Sequence, residues 1–411
     1  MMFADSNRWI GWRQNRLLGA TACVLAWTLV SEPLFAQRGD LRQQRAADVR
    51  SSTSSGADDT SDNVLSPDEW QRVDAAAERA LAWLAREQQP DGSFATDPYG
   101  QPGVTGLVTL AFLSWGHAPG SGRYGPTLDR AVDYILSCQR VNGLISAEGP
   151  DDPIVPASVK FAYSVPSTYN HAISALTLSE TYGISGEHAD ARTQHAIEKA
   201  LEVSLQMQKW NRSPENSGGW RYLHTTDSDL SVAGWHLMFL RSAKNAGFDV
   251  PAAPIDNAVA FVLRCFSPEF KTFEYDVKPE DRRTRAMAGA GIMALAHSGM
   301  HRRPEAVQAA DWILAHGFAS YNGSDHVSPT YRGDRYHYGV FYCTQAMYQM
   351  GGRHWAEFFP RTVPVLLANQ SPDGSWQPES SQDMRFGSTY TTALVVLALG
   401  APNQFLPIFQ R

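Results

Sequence analysis

The chain has 411 residues, of which 43% are hydrophobic and 11% are aromatic, so it is long enough to bury a large core. Its formal net charge is −7, and its one dense basic cluster, Arg282, Arg283 and Arg285, runs directly into an apolar segment. Because phosphate binding requires many clustered cations, these features argue against a nucleic-acid partner.

The first 36 residues have the pattern of an export signal. Arg8, Arg13 and Arg16 precede the apolar run 17–30, and the segment 34–36 supplies a cleavage site. The apolar run is too short for a comfortable transmembrane span. The sequence therefore predicts an exported protein, periplasmic or extracellular, with no stable membrane span after cleavage. A retained N-terminal anchor is the alternative.

The next segment, residues 37–65, is polar and rich in Arg, Ser, Asp and Gln, which predicts a disordered linker. Folding is expected to begin at Ser66, a cap residue that precedes Pro67 at the first helical position. Asp68 and Glu69 then place negative charge at the positive end of the helix. The folded domain is predicted to span residues 66–411.

Six apolar segments with a helical pattern each end at a glycine. The spacing between these glycines is 67, 64, 52, 52 and 49 residues, which accommodates two helices and their loops. Glycine is the expected helix stop, because it takes the left-handed cap conformation without a Cβ clash. The pattern predicts six helical hairpins. The glycines are Gly116, Gly183, Gly247, Gly299, Gly351 and Gly400.

The six apolar segments are nearly uncharged, which indicates inner helices that are covered on both sides. The segments between them carry charges on one face, which is typical of outer helices. We expect the inner helices to form a ring, giving an all-α (α/α)6 toroid around a central cavity. An open solenoid is the alternative, but its terminal repeats would be polar, and the last run, YTTALVVLALG, is apolar. The predicted outer helices are 67–88, 127–139, 190–209, 254–266, 304–317 and 355–369.

The loops between outer and inner helices share a motif. The segments 88–94 and 370–376 match almost position for position, 139–144 is a weaker copy, and 208–220 carries an insertion. Asp-Gly and Asn-Gly favour tight turns, and glutamine can bond exposed carbonyls at a helix end. The aromatic residue that follows is expected to fill the gap between neighbouring hairpins.

This motif resembles the Gln–Trp repeat of squalene–hopene cyclases and other class II terpene cyclases, and the related toroid of protein prenyltransferase β subunits. Two further segments, 231–235 and 343–348, are similar to exported bacterial proteins with prenyltransferase and squalene oxidase repeats. The resemblance covers about residues 66–411 and implies the toroid fold. The same fold also hosts polysaccharide lyases and thioester protein-binding domains, so it leaves the activity open.

The resemblance also implies two catalytic carboxylates. The acid motif of class II cyclases is Asp-x-Asp-Asp-Thr, and this chain has Asp227-Ser228-Asp229-Leu230-Ser231 at the start of an apolar run. Asp229 occupies the position of the proton donor, with Asp227 beside it, whereas Leu230 replaces the third aspartate. The alternative is that Asp229 is a helix cap, and we then expect backbone N–H groups to lower its pKa or leave it unremarkable.

Aromatic side chains at helical spacing suggest a cavity lining, since ring faces stabilise carbocations. Core packing is the alternative for each of them. Loops that lead into the inner helices add polar candidates. The hairpin register predicts that Asp229, His171, Arg285, His337 and Tyr390 gather near one mouth of the cavity. The predicted ligand-binding residues are Trp235, Tyr336, His337, Tyr338, Phe341, Tyr342, His171, Arg285 and Tyr390.

No metal or cofactor is predicted, because the Asp-x-Cys pair that holds zinc in protein prenyltransferases does not occur in this sequence. The leading hypothesis is an exported toroid of the terpene cyclase and prenyltransferase type that binds an isoprenoid-like or other hydrophobic ligand, with catalysis left open. A carbohydrate-active enzyme of the polysaccharide lyase type, with a glycan as its partner, is the second hypothesis. A non-catalytic binding or scaffold module is the third.

Overall fold

The structure, a computed structural model, describes residues 64–152, 155, 157–185, 190–210, 212–278, 282–321 and 334–411. Over these residues the chain forms twelve α-helices and one two-stranded antiparallel sheet, with several short 3-10 turns. The predicted signal sequence and nearly all of the predicted linker lie outside the described residues, so both stay predictions. None of the helices described is at once long enough and apolar enough to cross a membrane.

The helices alternate between an outer and an inner layer. The outer helices are α1 (Pro67–Arg86), α3 (Gly125–Ser137), α5 (Ala191–Gln208), α7 (Ala252–Arg264), α9 (Pro304–Ala315) and α11 (Gly352–Ala368). The inner helices are α2 (Gly103–Leu113), α4 (Lys160–Ser185), α6 (Leu230–Asn245), α8 (Arg285–Ala296), α10 (Tyr336–Met350) and α12 (Ser381–Leu399). The strands β1 (Phe266–Ser267) and β2 (Thr272–Phe273) form a small hairpin after α7. The predicted outer helices agree with the observed ones to within about one turn.

The six inner helices form a closed ring. Each packs against the next in chain order, and α12 packs against α2. At this junction Trp115 Nε1 donates a hydrogen bond to the carbonyl of Val396 over 3.1 Å, and Asn403 Nδ2 donates to the carbonyl of Ser114 over 3.1 Å. The first and last hairpins are therefore neighbours. This confirms the predicted toroid and excludes an open solenoid.

Local sequence explains the two kinds of helix. The first outer helix begins with a capping box, in which the Ser66 hydroxyl accepts from the backbone N–H of Glu69 and the Glu69 side chain accepts from the Ser66 N–H. Its apolar residues face the ring and its charged residues face solvent. The inner helix α2, in contrast, is buried along its whole length. Inner helices without a polar face are stable only where neighbours cover every side.

Each of the four motif loops links one outer helix to the next. We call them the Gln–Trp loops; they are residues 88–94, 139–144, 208–220 and 370–376. The glutamine amide donates both to the glycine carbonyl within its own turn and to a backbone carbonyl of the following outer helix. The turn glycine is also required, because a Cβ at Gly374 would lie 2.6 Å from the carbonyl oxygen of Arg79. Gln370 links α11 back to α1 and so closes the outer layer. The acceptors on the next helix are Thr127 for Gln88, Ala196 for Gln139, Pro254 for Gln208 and Ala76 for Gln370, each over 2.8 Å.

The predicted glycine stops hold at five of the six positions. Gly116, Gly247, Gly299 and Gly351 have positive φ angles between 63° and 93° just after an inner helix. Gly400 also ends its helix, α12, but with a right-handed φ of −83° instead of the expected left-handed cap. The prediction for Gly183 was wrong, because Gly183 lies inside α4, which continues to Ser185.

The last residues of the chain cover the end of the ring opposite the Gln–Trp loops. The amide of Ile408 lies 3.5 Å from Glu180 Oε2 on α4, and Gln349 Nε2 on α10 donates to the carbonyl of Phe409 over 2.8 Å. The Phe409 ring also lies 6.1 Å from that of Phe341. Because α4 and α10 stand opposite each other in the ring, this segment spans its interior.

Candidate functional site

Asp229 is the N-terminal cap of α6 and is completely buried. Its Oδ1 accepts a hydrogen bond from the backbone N–H of Val232 over 2.8 Å, and its Oδ2 accepts one from the Tyr275 hydroxyl over 3.1 Å. The Arg221 guanidinium lies 3.6 Å from Oδ2. The helix-cap interpretation is therefore correct for its position. The same carboxyl nevertheless has a polar environment that a simple cap does not need.

Burial raises the pKa of Asp229 to about 6, because the charged form loses its hydration. The Arg221 charge, the Val232 N–H and the Tyr275 hydroxyl oppose this rise, and the nearby negative charge of Asp227 adds to it. The expectation of a lowered or unremarkable pKa was wrong. One backbone donor does not compensate for complete burial, so this carboxyl can carry a proton at mildly acidic pH.

Asp227 occupies a different environment from Asp229. Its side chain is 29% exposed and lies 3.3 Å from Arg221 Nε and 3.4 Å from Lys278 Nζ. Arg221 therefore bridges the two carboxylates of the motif, contacting Asp227 at the surface and Asp229 in the interior. Asp227 forms the polar rim of the site, and Asp229 is the buried group.

Two tyrosines connect Asp229 to that rim. The Tyr275 hydroxyl lies 2.7 Å from the Tyr222 hydroxyl, and the Arg221 guanidinium packs over both rings. Tyr222 and Tyr275 are each only partly buried. Asp229 thus has a short chain of hydroxyl groups leading outward. Sequence reasoning missed Arg221, which follows Gly219-Trp220, and Tyr275, which follows the β-hairpin.

Next to Asp229, the interior of the ring is lined with aromatic side chains. The Trp235 and Phe341 rings stack with centroids 5.6 Å apart and planes at 4°, and the Tyr338 and Tyr342 rings meet edge to face at 5.0 Å. Trp235 Nε1 donates to the Tyr338 hydroxyl over 2.9 Å. The structure thus brings together four of the predicted ligand-binding residues, from α6 and α10.

A hydrogen-bonded bridge crosses the ring beside these aromatics. The Tyr169 hydroxyl on α4 donates to Ser231 Oγ over 2.9 Å, and Ser231 Oγ lies 2.8 Å from the Tyr338 hydroxyl. Helices α6 and α10 come this close because α8, which lies between them, is rich in small residues. A Cβ at Gly289 would lie 2.7 Å from the backbone of Tyr342. Tyr169 also interacts electrostatically with Asp229: burial is the main cause that raises the pKa of the Tyr169 hydroxyl, and the Asp229 charge is the next.

Three predicted ligand-binding residues lie elsewhere. His171 is inside the wall, where Nδ1 accepts from the backbone N–H of Ile145 and Nε2 lies 3.1 Å from Ser204 Oγ on α5. Arg285 is bound by Asp334, with Nε and Oδ2 2.7 Å apart. Tyr336 packs against Phe318 with ring centroids 5.4 Å apart. Of the residues predicted to gather near one mouth, Asp229, Arg285 and His337 lie at the starts of inner helices, whereas His171 packs inside the wall.

The remaining two predicted residues, Tyr390 and His337, have different surroundings, and only Tyr390 lies near the aromatic lining. Tyr390 on α12 is buried, which raises its pKa, and the neighbouring Arg335 guanidinium opposes that rise. The Arg335 guanidinium itself packs over the Tyr338 ring at 4.7 Å. His337 forms a separate buried cluster with Glu379 and Asp383. Sequence reasoning missed both carboxylates, which lie in the last loop and the first turn of α12.

Comparison with known proteins supports the fold. No model of a known protein family matches the chain, and no curated protein sequence matches it. The type II terpene cyclase MstE from Scytonema, with bound geranylgeranyl dihydroxybenzoate, is similar in structure at 15% identity and a TM-score of 0.53, covering 82% of this chain and 99% of the cyclase. A glycosidase matches at 13% identity and a TM-score of 0.53, covering 84% of this chain and 100% of the glycosidase. An α-amylase from Clostridium perfringens matches at 10% identity and a TM-score of 0.52, covering 79% of this chain and 97% of the amylase. At these identities the likeness shows the fold alone.

Proposed function

We propose that this chain is an acid-initiated cyclase of an isoprenoid-like ligand, with Asp229 as the proton donor. The observation that carries the proposal is a completely buried carboxyl with a pKa of about 6 beside an aromatic interior. Structural similarity to a terpene cyclase with a bound geranylgeranyl ligand is consistent with it. The proposed ligand is a linear polyene, since such a chain is apolar and offers an alkene to protonate.

The proposed reaction begins with the protonated form of Asp229. Its O–H proton is transferred to a terminal carbon–carbon double bond, whose π electrons form the new C–H bond and leave a carbocation on the adjacent carbon. Asp229 becomes a carboxylate. The π electrons of the next double bond attack the cation and form a ring, and transfer of a proton from a neighbouring carbon to a water molecule restores an alkene. Atoms balance, so the product is an isomer of the substrate.

The aromatic residues stabilise the cation that this step creates. The faces of Trp235 and Phe341 carry partial negative charge from the ring quadrupole, and each ring is worth about 0.5 to 2 kcal/mol to a nearby cation. Burial strengthens this attraction, because water is excluded from the interior. Trp235 is held in place by its stacking on Phe341 and by its hydrogen bond to Tyr338. The rings are therefore positioned before a ligand arrives.

Asp229 must regain its proton after each turnover, and the hydroxyl chain supplies a route. When Asp229 is a carboxylate, Tyr275 donates to it. When Asp229 is protonated, its O–H can donate to the Tyr275 oxygen while Tyr275 donates to Tyr222. A proton can therefore reach the buried acid in steps: Tyr275 gives its proton to Asp229, takes the proton of Tyr222 in turn, and solvent reprotonates the partly exposed Tyr222. Leu230 stands where the cyclase motif has its third aspartate, and in this chain Arg221 and the Tyr275 hydroxyl oppose the rise in the pKa of Asp229.

The experiment is a product assay with geranylgeranyl-bearing substrates, including geranylgeranyl dihydroxybenzoate, followed by mass spectrometry with chromatographic separation of isomers. We expect the wild-type protein to form a product with the mass of the substrate and a different retention time. Asp229→Asn should reduce this product at least a hundredfold. The exposed Asp249 serves as the control, and Asp249→Asn should retain the activity. Binding of the substrate without any product would favour a non-catalytic binding module.

A carbohydrate-active enzyme is the second candidate, because a glycosidase and an amylase share the fold. A pocket of about 560 Å³ lies beside the first two loops and is lined in part by Gln89, Gln101 and Glu148. Glycosidases use two carboxylates, whereas Glu148 is the one carboxylate among the described residues lining this pocket. This candidate predicts release of reducing sugar from a polysaccharide panel, with loss of that activity in Glu148→Gln.

A further inference from the structure

His337, Glu379 and Asp383 converge at the start of α10 and α12. His337 Nδ1 lies 2.5 Å from Glu379 Oε2 and 4.0 Å from Asp383 Oδ2. One nitrogen and two carboxylate oxygens of this triad all lie within 4.8 Å of one another. The side chains of His337 and Asp383 are completely buried, and that of Glu379 is nearly so.

The converging atoms lack well-aligned hydrogen bonds, although His337 Nδ1 and Glu379 Oε2 are 2.5 Å apart. Among the described residues, no group makes a hydrogen bond of acceptable geometry to His337 Nδ1, to Glu379 Oε2 or to either carboxylate oxygen of Asp383. Buried polar atoms are almost always satisfied, and an unmatched group calls for an explanation such as a bound ion. Asp383 is the strongest case, because both of its carboxylate oxygens are buried and its Oδ2 lies 4.0 Å from His337 Nδ1.

The contacts of His337 Nε2, the ring nitrogen that faces away from the carboxylates, indicate which tautomer is present. The Tyr321 hydroxyl lies 2.6 Å from His337 Nε2, and it donates its single proton to the carbonyl of Gln377 over 2.7 Å. Nε2 must therefore carry a proton and donate to the Tyr321 oxygen. In the neutral imidazole this leaves Nδ1 with a lone pair that faces the two carboxylates. Metal-binding histidines have this arrangement, in which a second hydrogen bond fixes the ring and its tautomer.

Neighbouring groups hold the carboxylates in the same way. Glu379 Oε1 accepts from the backbone N–H of Tyr336 over 2.7 Å, which directs Oε2 towards the cluster. Arg335 Nη1 lies 3.7 Å from Asp383 Oδ1, on the side facing the aromatic interior. Each of the three converging side chains thus has a partner outside the cluster that orients it. Two carboxylates and one imidazole also match the charge and donor preference of a divalent first-row metal.

From this geometry we infer that His337, Glu379 and Asp383 bind a divalent first-row transition-metal ion, such as Zn²⁺, Co²⁺ or Mn²⁺. Ligand atoms about 2.0 to 2.2 Å from the ion would lie roughly 3 to 3.5 Å apart. The present separations bracket that range, so small side-chain movements suffice. Three protein ligands leave at least one position for water. This site is separate from the proposed proton donor, and the inference does not depend on the proposed function.

The test is metal binding by the purified full-length protein after removal of bound metal with a chelator. We expect one Co²⁺ ion per chain, detected by its visible d–d absorption, and displacement of Co²⁺ by one equivalent of Zn²⁺. His337→Gln, Glu379→Gln and Asp383→Asn should each weaken Co²⁺ binding by more than tenfold. Tyr321→Phe removes the hydrogen bond between the Tyr321 hydroxyl and His337 Nε2, and it should weaken Co²⁺ binding by about 10- to 100-fold.

Glu202→Gln, which changes an exposed carboxylate on α5, is the matched control and should bind Co²⁺ as the wild type does. Circular dichroism will show whether each variant is folded. If a ligand variant unfolds, the Tyr321→Phe variant and the stoichiometry of the wild type still decide the question. The inference is overturned if the wild type binds no Co²⁺ or Zn²⁺ at micromolar concentration. That result would mean that a proton, shared by His337 and Glu379, occupies the cluster instead. It is also overturned if Co²⁺ binds equally well to the wild type and to Glu379→Gln.

Discussion

The Tyr275 hydroxyl donates a hydrogen bond to Oδ2 of Asp229 over 3.1 Å. The two residues are far apart in sequence, and they meet because the backbone N–H of Leu230 donates to the carbonyl of Tyr275 over 2.7 Å. This backbone contact holds the loop after the β-hairpin against the start of α6. Tyr275 thereby acts on the acidity of the one carboxyl that the proposed reaction requires.

Replacement of Tyr275 by phenylalanine should raise the pKa of Asp229 further. The tyrosine hydroxyl stabilises the carboxylate form, and the loss of one such hydrogen bond is worth on the order of one pKa unit. The measurement is the carboxyl stretch of Asp229 in a pH titration followed by infrared difference spectroscopy. Tyr182→Phe is the control, because Tyr182 packs against Phe248 at a distance from the site. An unchanged or lowered pKa in Tyr275→Phe would contradict the assigned hydrogen bond.

Asp229→Asn should change how stability depends on pH. The folded pKa of about 6 exceeds the ordinary value of 3.8, so protonation of Asp229 contributes to wild-type stability, and this contribution is complete below pH 4. It is lost as the pH rises through 6. Asparagine caps the helix about as well and cannot ionise. The free energy of unfolding of the variant, relative to that of the wild type, should therefore rise by at most about 3 kcal/mol between pH 4 and pH 7.

Urea unfolding at both pH values measures the difference between Asp229→Asn and the wild type. Asp249→Asn, on the surface, should show no such trend. A constant stability difference between Asp229→Asn and the wild type over this pH range would mean that Asp229 ionises in the folded protein as easily as in the unfolded chain.

Glu180→Gln tests the closed end of the ring. Burial raises the pKa of Glu180 to about 7, while the Ser242 hydroxyl and the Ile408 amide oppose the rise. The folded pKa again lies above the ordinary value of 4.5, so wild-type stability is favoured below pH 4.5 and declines as the pH passes 7. We expect the variant to be more stable than the wild type at pH 8, by up to about 3 kcal/mol, and similar at pH 4.

Thermal unfolding at these two pH values checks the Glu180 prediction. Glu198→Gln is its control, since Glu198 lies on the exposed face of α5. A Glu180→Gln variant that is less stable than the wild type at pH 8 would show that the charged form of Glu180 is needed to hold the C-terminal segment.

Gln370→Ala should destabilise the closed ring. The Gln370 amide donates to the carbonyls of Ala76 and Gly374 over 2.8 and 2.9 Å, and it joins the last outer helix to the first. Its loss leaves two partly buried carbonyls without a partner, at a cost of about 1 to 3 kcal/mol each before water compensates. Denaturant unfolding is the measurement. Gln89→Ala removes a glutamine whose amide donates only to the nearby Glu87 carbonyl, and it should have a small effect.

The sequence predicted the ring and its outer helices because those features have local causes. Ser66 forms its capping box with residues three positions away, and the glutamine of each loop lies beside the turn glycine that it binds. The inner helices are apolar all round, which excludes an exposed face. Gly183 was misjudged because the length of a helix also depends on what packs beyond its end.

The candidate site was predicted only in part, because its remaining residues are brought together by tertiary contacts. Asp229 and the aromatics of α10 have recognisable spacing. Tyr275, Glu379 and Asp383 lie in loops or a first turn whose positions depend on the closed ring. The raised pKa of Asp229 has the same origin, since its main cause is complete burial, and burial is a property of the assembled ring.

The most direct test of the account is the origin of the first proton in the product. Asp229 exchanges its proton with solvent, so a cyclisation carried out in D₂O should place one deuterium on the carbon that was protonated. Mass spectrometry of the product should therefore show a gain of about one mass unit over the product formed in H₂O. Because the acid form is required, the rate should fall about tenfold per pH unit well above pH 6. No product, a product without deuterium, or an equal yield from Asp229→Asn would contradict the assignment of Asp229 as the proton donor.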